Sequence, residues 1–260
     1  MMARHEFCTV KDHDRIRIVT INRPEVLNAL HRAAHDELDR VWDEFAADEG
    51  LWIAIVTGAG ERAFSAGNDL KALSGGASIS MPLSGFGGIT HRFDLDKPVI
   101  AAVNGIAMGG GFEIALACDL IIAAENGLFA FPEPRVGLIA SAGGIHRLPR
   151  VIPEKLAMGM LLTGRRVSAA EGKELGFVNE VVPRGEALAG AVRWAEQILE
   201  CSPKAIRATK QTFRLGRNEQ TLQEAMETIY PAHLDNRKSL DFIEGPRAFA
   251  EKRKPNWQNK

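Results

Sequence analysis

The run from Pro98 to Ala124 constrains this chain more than any other stretch, because only Asn104, Glu113 and Asp119 within it are notably polar. Such a segment belongs in a core, and it carries Gly109-Gly110-Gly111-Phe112-Glu113 at its centre. A carboxylate directly after three glycines in apolar surroundings is costly to bury unless something compensates it. Further on, Glu133 follows Phe131-Pro132, again beside apolar neighbours. Glycine permits close packing of a strand on a helix. A helix beginning at the glycines would also aim unpaired N–H groups and the positive end of its dipole at the loop. That setting stabilises negative charge on a carbonyl oxygen. Two carboxylates beside it point to acid–base chemistry on a neutral carbonyl compound. Taken singly, Glu113 also reads as a satisfied carboxylate near a helix start, and Glu133 alone is unremarkable.

The flanking pattern predicts an α/β chain. Arg15 to Asn22 alternates polar and β-branched residues and reads as a half-exposed strand paired with Glu6 to Lys11. Residues 27–46 carry Leu27, Leu30, Ala34, Leu38, Val41 and Phe45 at helical spacing. Leu51 to Thr57, Pro98 to Asn104 and Asp119 to Ala123 read as buried strands, with a helix over Phe112 to Ala117 and a short strand over Phe177 to Val182. Leu73 to Gly88 is rich in Gly and Ser and reads as a mobile loop. From Glu186 on, helices are expected over 186–200, 203–215, 219–240 and 246–252. Strand-then-helix units followed by a helical tail fit an α/β core with a helical C-terminal region.

A net charge of −1 gives no basic footprint, so nucleic acid is not an expected partner, although Lys252, Arg253 and Lys254 cluster near the C-terminus. The three cysteines, Cys8, Cys118 and Cys201, form no C-x-x-C pair, so neither a zinc site nor a disulfide framework is expected. With no apolar signal core near Met1 and no run long enough for a bilayer, the expected location is the cytoplasm, without membrane attachment.

Three further motifs are weak. Gly58-Ala59-Gly60-Glu61-Arg62-Ala63 fits a loose dinucleotide pattern, but no helix follows it, and it reads as a tight turn leaving a strand. His31 and His35 share a helical spacing without the Glu of a zinc-protease motif and read as exposed helix histidines. Ser141 lacks the first glycine of a nucleophile elbow.

Taken together, several ordered segments resemble the crotonase superfamily, the enoyl-CoA hydratase/isomerase family, over nearly the whole chain. They include Ile21-Asn22-Arg23-Pro24 with Leu27-Asn28-Ala29-Leu30, Ala63-Phe64-Ser65-Ala66-Gly67-Asn68-Asp69-Leu70-Lys71, and Lys97-Pro98 through Asn104-Gly105. Gly109 to Glu113, Pro132-Glu133, Ala142-Gly143-Gly144, Thr163-Gly164-Arg165-Arg166, Gly176-Phe177-Val178-Asn179 and Phe249-Ala250-Glu251-Lys252-Arg253 continue the series. The resemblance implies a crotonase-like spiral of ββα units over residues 1–195 and a helical oligomerisation region over 196–260.

It further implies an acyl-CoA substrate, no metal or redox cofactor, and a homotrimer or a hexamer built as a dimer of trimers. The backbone N–H groups of Asn68 and Gly110 match the family's oxyanion hole, and Glu113 and Glu133 match the two catalytic glutamates of hydratases. Ala66, Asp69, Leu70 and Lys71 match substrate or CoA contacts, as do Phe249 and Lys252 from a neighbouring subunit. Having both glutamates favours addition or loss of water over isomerase chemistry, and over a non-catalytic or RNA-binding relative. Asn68 stands where Ala is usual, Ala140-Ser141 replaces a frequent Pro-Gly, and Glu25 occupies a position that is Lys in some hydratases. A narrower likeness to carnitinyl-CoA dehydratases lies in Gly85 to Thr90, Phe93 to Pro98 and Ile243 to Arg253. Some of those enzymes carry Trp at the position of Asn68, a ring face for a trimethylammonium group that Asn68 does not offer.

Overall fold

The computed structural model describes residues 5–70 and 81–260. Two compact units emerge: one runs up to Arg92 and resumes over Val99–Trp194, and the other comprises Phe93–Pro98 and Ala195–Lys260. The first unit holds both sheets.

Its larger sheet has six strands in the order β1-β2-β3-β5-β7-β10. These are β1 (Cys8–His13), β2 (Ile16–Ile21), β3 (Ile53–Gly58), β5 (Val99–Val103), β7 (Leu120–Ala124) and β10 (Glu180–Val182). The hairpin β1–β2 is antiparallel and every later pairing is parallel. β3 and β5 are buried along their whole length, as a central parallel strand covered on both faces must be. The smaller sheet has the order β4-β6-β8-β9, from β4 (Ala63–Ser65), β6 (Ile106–Met108), β8 (Leu128–Ala130) and β9 (Val167–Ser168). Successive pairs β3–β4, β5–β6 and β7–β8 thus each send one strand to each sheet, the repeated ββα turn of a spiral.

Helices α1 (Arg32–Ala47), α2 (Gly110–Ala117), α3 (Gly144–Arg147), α4 (Glu154–Thr163) and α5 (Ala169–Leu175) belong to the same unit. Helix α6 (Ala187–Leu199) leads by sequence into the second unit, which contains α7 (Pro203–Gly216), α8 (Leu222–Glu227), α9 (Pro231–Lys238) and α10 (Leu240–Ala250). There, Asp96 accepts hydrogen bonds from Gln211 and Arg214, and buried Asp241 accepts one from Ser202. Among the described residues no helix is long and apolar enough to cross a membrane.

Several expectations need correction. Helix α1 starts at Arg32 rather than at residue 27, because Leu27 and Asn28 adopt left-handed φ of 55° and 57° and the Asn28 side chain is engaged elsewhere. The strand expected over 177–182 shrinks to Glu180–Val182, since the helix cap at Gly176 draws the N–H groups of Phe177 and Val178 back to the Gly172 carbonyl. The helix expected over 219–240 is broken before Pro231, which holds Tyr230 extended, and the last helix begins at Leu240 instead of residue 246. Much of the Leu73–Gly88 stretch lies outside the described residues, but its end is ordered, with Phe86, Gly87 and Gly88 buried in a 3₁₀ turn. His35, expected on an exposed face, is buried against Phe86, accepts the Gly87 N–H at Nδ1, and is held neutral by burial to about pH 4. Gly58 does end a strand in a tight turn. Within the basic cluster, Arg253 pairs with Glu244 and Glu251.

Candidate active site

The site is built where the two sheets and α2 meet. Strand β6 ends at Met108, and Gly109 turns the chain with φ of 53° while its N–H completes the small sheet at the Ala130 carbonyl. A side chain at Gly109 would place its Cβ 2.7 Å from Glu133 Oε1, so only glycine admits the carboxylate there. Gly110 is the first residue of α2, where a helix N–H has no carbonyl in the preceding turn to bond. Its Cα packs against the Phe86 ring, which would stand 2.4 Å from any Cβ.

The segment Ala66–Asp69 runs beside this turn. Gly67, at φ of 89°, is so close that a Cβ on it would lie 3.0 Å from the Gly110 nitrogen. Leu30 donates to the Gly67 carbonyl at 2.8 Å and accepts from the Asp69 N–H at 2.9 Å. In a parallel bridge the residue between these two directs its own N–H away from the partner strand, so the Asn68 N–H is left for the site. The Ala66 N–H is spent on the Leu27 carbonyl, and the Asp69 carboxylate pairs with Arg23 at 3.2 Å. Leu70 is half exposed, and Lys71 lies outside the described residues.

A scaffold absent from the sequence reading holds this segment. Buried Asn28 accepts from the Arg23 N–H at 3.0 Å and donates to the Ala63 and Ala59 carbonyls. The Ser65 hydroxyl donates to the Asn28 carbonyl at 2.8 Å and accepts from the Gly67 N–H at 3.2 Å. The signal was available in the Leu27-Asn28-Ala29-Leu30 segment, but helical periodicity absorbed it.

The two glutamates occupy unlike environments. Glu113 is 3% exposed in the first turn of α2, and its Oε1 accepts the Gly144 N–H at 2.8 Å. Burial pushes its carboxyl up to about 7; the Gly144 amide opposes the rise, Glu133 adds to it, and the Ala142 amide and Arg147 oppose it further. Glu133 opens a 3₁₀ turn (Glu133–Val136), and its Oε2 is buried with no hydrogen-bond partner among the described residues. Burial raises this carboxyl as well. An unsatisfied buried carboxylate oxygen is rare enough to call for a ligand or water as its partner.

Glu113, Glu133, Asn68 and Gly110 are therefore brought together in the first unit. Phe249 and Lys252 lie in the second unit, with Phe249 87% exposed at the end of α10. Among the described residues one possible metal-ligand trio, His5, Cys8 and Glu37, has its ligand atoms within 4.8 Å of one another. Its Glu37 carboxylate already accepts the N–H groups of Glu6, Phe7 and Cys8.

Known proteins share this architecture. A family model described as enoyl-CoA hydratase/isomerase matches residues 11–260. A carnitinyl-CoA dehydratase of Escherichia coli (strain SMS-3-5 / SECEC) is 44% identical over 248 residues, covering 93% of this chain and 94% of the relative. The crystal structure of an enoyl-CoA hydratase from Mycobacterium tuberculosis H37Rv superimposes with a TM-score of 0.92 at 40% identity, over 98% of this chain and 99% of that one. A carnitinyl-CoA hydratase from Mycobacterium avium gives 0.79 at 38% identity, over 99% of this chain and 100% of that one. By fold and by sequence over nearly its full length, the chain belongs to the enoyl-CoA hydratase/isomerase family of the crotonase superfamily.

Proposed function

We propose that this protein is a lyase that adds water reversibly to the double bond of a 2-enoyl-CoA thioester. The observation carrying this reading is the convergence of two desolvated carboxyl groups, Glu113 and Glu133, on the Gly109–Gly110 turn. The thioester oxygen is held by the N–H groups of Asn68 and Gly110. A water between the glutamates loses a proton to Glu113 as its oxygen bonds to Cβ of the enoyl group. The π electrons move onto the thioester oxygen, and the resulting enolate takes a proton at Cα from Glu133. Proton exchange with solvent then resets the pair. The oxyanion donors strengthen as charge develops, each typically worth about 3 kcal/mol. None of these steps draws on a metal or redox cofactor.

A second reading is dehydration of a carnitinyl-CoA thioester, favoured by the name of the 44% identical relative and carried by the same glutamate chemistry. Loss of the conjugated thioester absorbance with crotonyl-CoA, longer enoyl-CoA esters and crotonobetainyl-CoA separates the two. Turnover of crotonobetainyl-CoA alone selects the second reading, and no turnover of any ester defeats both. For CoA itself we assign Lys71 from the same chain and Phe249 and Lys252 from a neighbouring copy in a trimer or hexamer. Light scattering, together with a raised KM in F249A and K252A, tests that assignment. The setting is expected to be cytoplasmic.

A further inference from the structure

We propose that Arg23 is a positioning residue that sets the aim of the Asn68 N–H through two peptide planes. This rests on the reading above, in which that N–H donates to the thioester oxygen. The Arg23 guanidinium donates from Nη1 to the Ala29 carbonyl at 2.5 Å. A trans peptide is planar, so the Ala29 carbonyl and the Leu30 N–H point in opposite directions from one rigid unit. The Leu30 N–H donates in turn to the Gly67 carbonyl at 2.8 Å. That carbonyl shares its own peptide plane with the Asn68 N–H. Holding the Ala29 oxygen therefore orients the last donor, two planes away. The groups form one aligned row, in which each hydrogen bond polarises the next toward the oxyanion.

The guanidinium is itself held from several sides. The same Nη1 pairs with Asp69 Oδ2 at 3.2 Å, and the two side chains are only 13% and 12% exposed. Asp69 follows Asn68 in the chain, and its N–H returns to the Leu30 carbonyl at 2.9 Å. The peptide planes on both sides of Asn68 are thus tied to Leu30, and Arg23 spans the two strands of that bridge. The Phe7 ring lies 5.9 Å from the guanidinium carbon and covers it. The Arg23 N–H donates to the Asn28 side chain at 3.0 Å, which roots the arginine in the scaffold under Ser65. Because the Asp69 carboxylate offsets its charge, Arg23 acts by aim rather than as a net charge on the site. A planar guanidinium suits this task, since it keeps two acceptors in a fixed geometry that an ammonium group does not impose.

The test uses the full chain with Arg23→Gln and Arg23→Lys, and butyryl-CoA labelled with ¹³C at its carbonyl, a saturated ester that cannot be hydrated. Infrared spectra of the bound ester report the carbonyl stretch, which oxyanion donors lower. R23Q should lose about half or more of the wild-type lowering. Its kcat for crotonyl-CoA hydration should fall about 10- to 100-fold, with KM changed less than kcat. R23K should lie between R23Q and wild type, because Lys keeps a donor without the fixed fork. By ¹⁵N NMR, hydrogen exchange of the Leu30 and Asp69 amides should be about tenfold faster in R23Q, with the β3 amides unchanged. A merely structural role would lower kcat at a wild-type carbonyl stretch, or speed exchange throughout the sheet, and either result overturns the proposal. Should R23Q not fold, R23K decides alone: a lowering reduced by about a third or more supports the proposal, and the full wild-type lowering refutes it. If the wild-type protein binds butyryl-CoA but hydrates no enoyl ester, the hydratase reading fails, and the carbonyl stretch still decides the role of Arg23. If it binds no acyl-CoA ester, the amide exchange decides whether Arg23 holds the two planes.

Discussion

Glu113 and Glu133 are chemically identical side chains placed in opposite kinds of support. Glu113 sits in the first turn of a regular helix, clamped by a backbone amide from α3, with the half-buried Arg147 at the end of that same turn. Glu133 stands at the head of a 3₁₀ turn, pressed against a glycine, with one buried oxygen lacking any partner among the described residues. Burial raises both; the Gly144 and Ala142 amides oppose the rise at Glu113, and its own backbone N–H opposes it at Glu133. Two acids with one role each can thus be made from one residue type by controlling which of them is solvated by the protein.

The largest test of that division removes each acid in turn. E113Q and E133Q should each lower kcat by about 10²- to 10⁴-fold with KM for the CoA ester little changed. Full activity in either variant, measured by loss of enoyl-thioester absorbance, breaks the pairing. A finer test displaces only one partner. In G109A the new Cβ meets Glu133 Oε1 at 2.7 Å on a backbone of positive φ, while leaving the Gly144 clamp on Glu113 untouched. A misplacement of about 1 Å at a reacting group costs on the order of 10²-fold, so kcat should fall by about that much.

The pH dependence sharpens the same contrast. Hydration requires Glu113 ionised, so kcat should climb as pH rises through about 7. A smaller effect follows for stability. The folded chain holds the Glu113 proton up to about 7 whereas an ordinary carboxyl releases it near 4.5, so the folded state binds more protons between those values. Stability from this group is therefore fullest below 4.5 and is lost as pH rises through 7, by an upper limit of about 3 kcal/mol. E113Q should melt above the wild-type protein at pH 8, with the difference vanishing near pH 4. The smallest effect is expected at the scaffold. S65A removes the hydroxyl between Asn28 and Gly67 and should cost about 1–2 kcal/mol in urea denaturation, with a modest loss of kcat through the Asn68 amide.

Much of the architecture was legible because its strands are long apolar runs. β2, β3, β5 and β7 lie within a few residues of their expected positions, as does α2. The small sheet was not legible: its strands are two or three residues each, too short to show a period, and they form only because the large sheet brings them side by side. Leu27 misled for the converse reason, since it fits a helical face, yet it and Asn28 take left-handed backbone angles, and Asn28 bonds to Arg23, Ala59 and Ala63. His35 reads as polar in sequence, yet packing on Phe86 and Gly87 makes it a core residue.

The opening run shows where the division falls. Composition alone required Pro98–Ala124 to be buried and made Glu113 a carboxyl needing compensation, because apolar periodicity and desolvation are local properties of the chain. Which groups compensate it was settled only by folding. Gly144 comes from a turn 31 residues downstream, and Glu133 reaches Gly109 from beyond the small sheet's strand β8. Hydrogen bonds and charge interactions act over a few ångströms in space, so the unlike environments of the two glutamates belong to the tertiary structure.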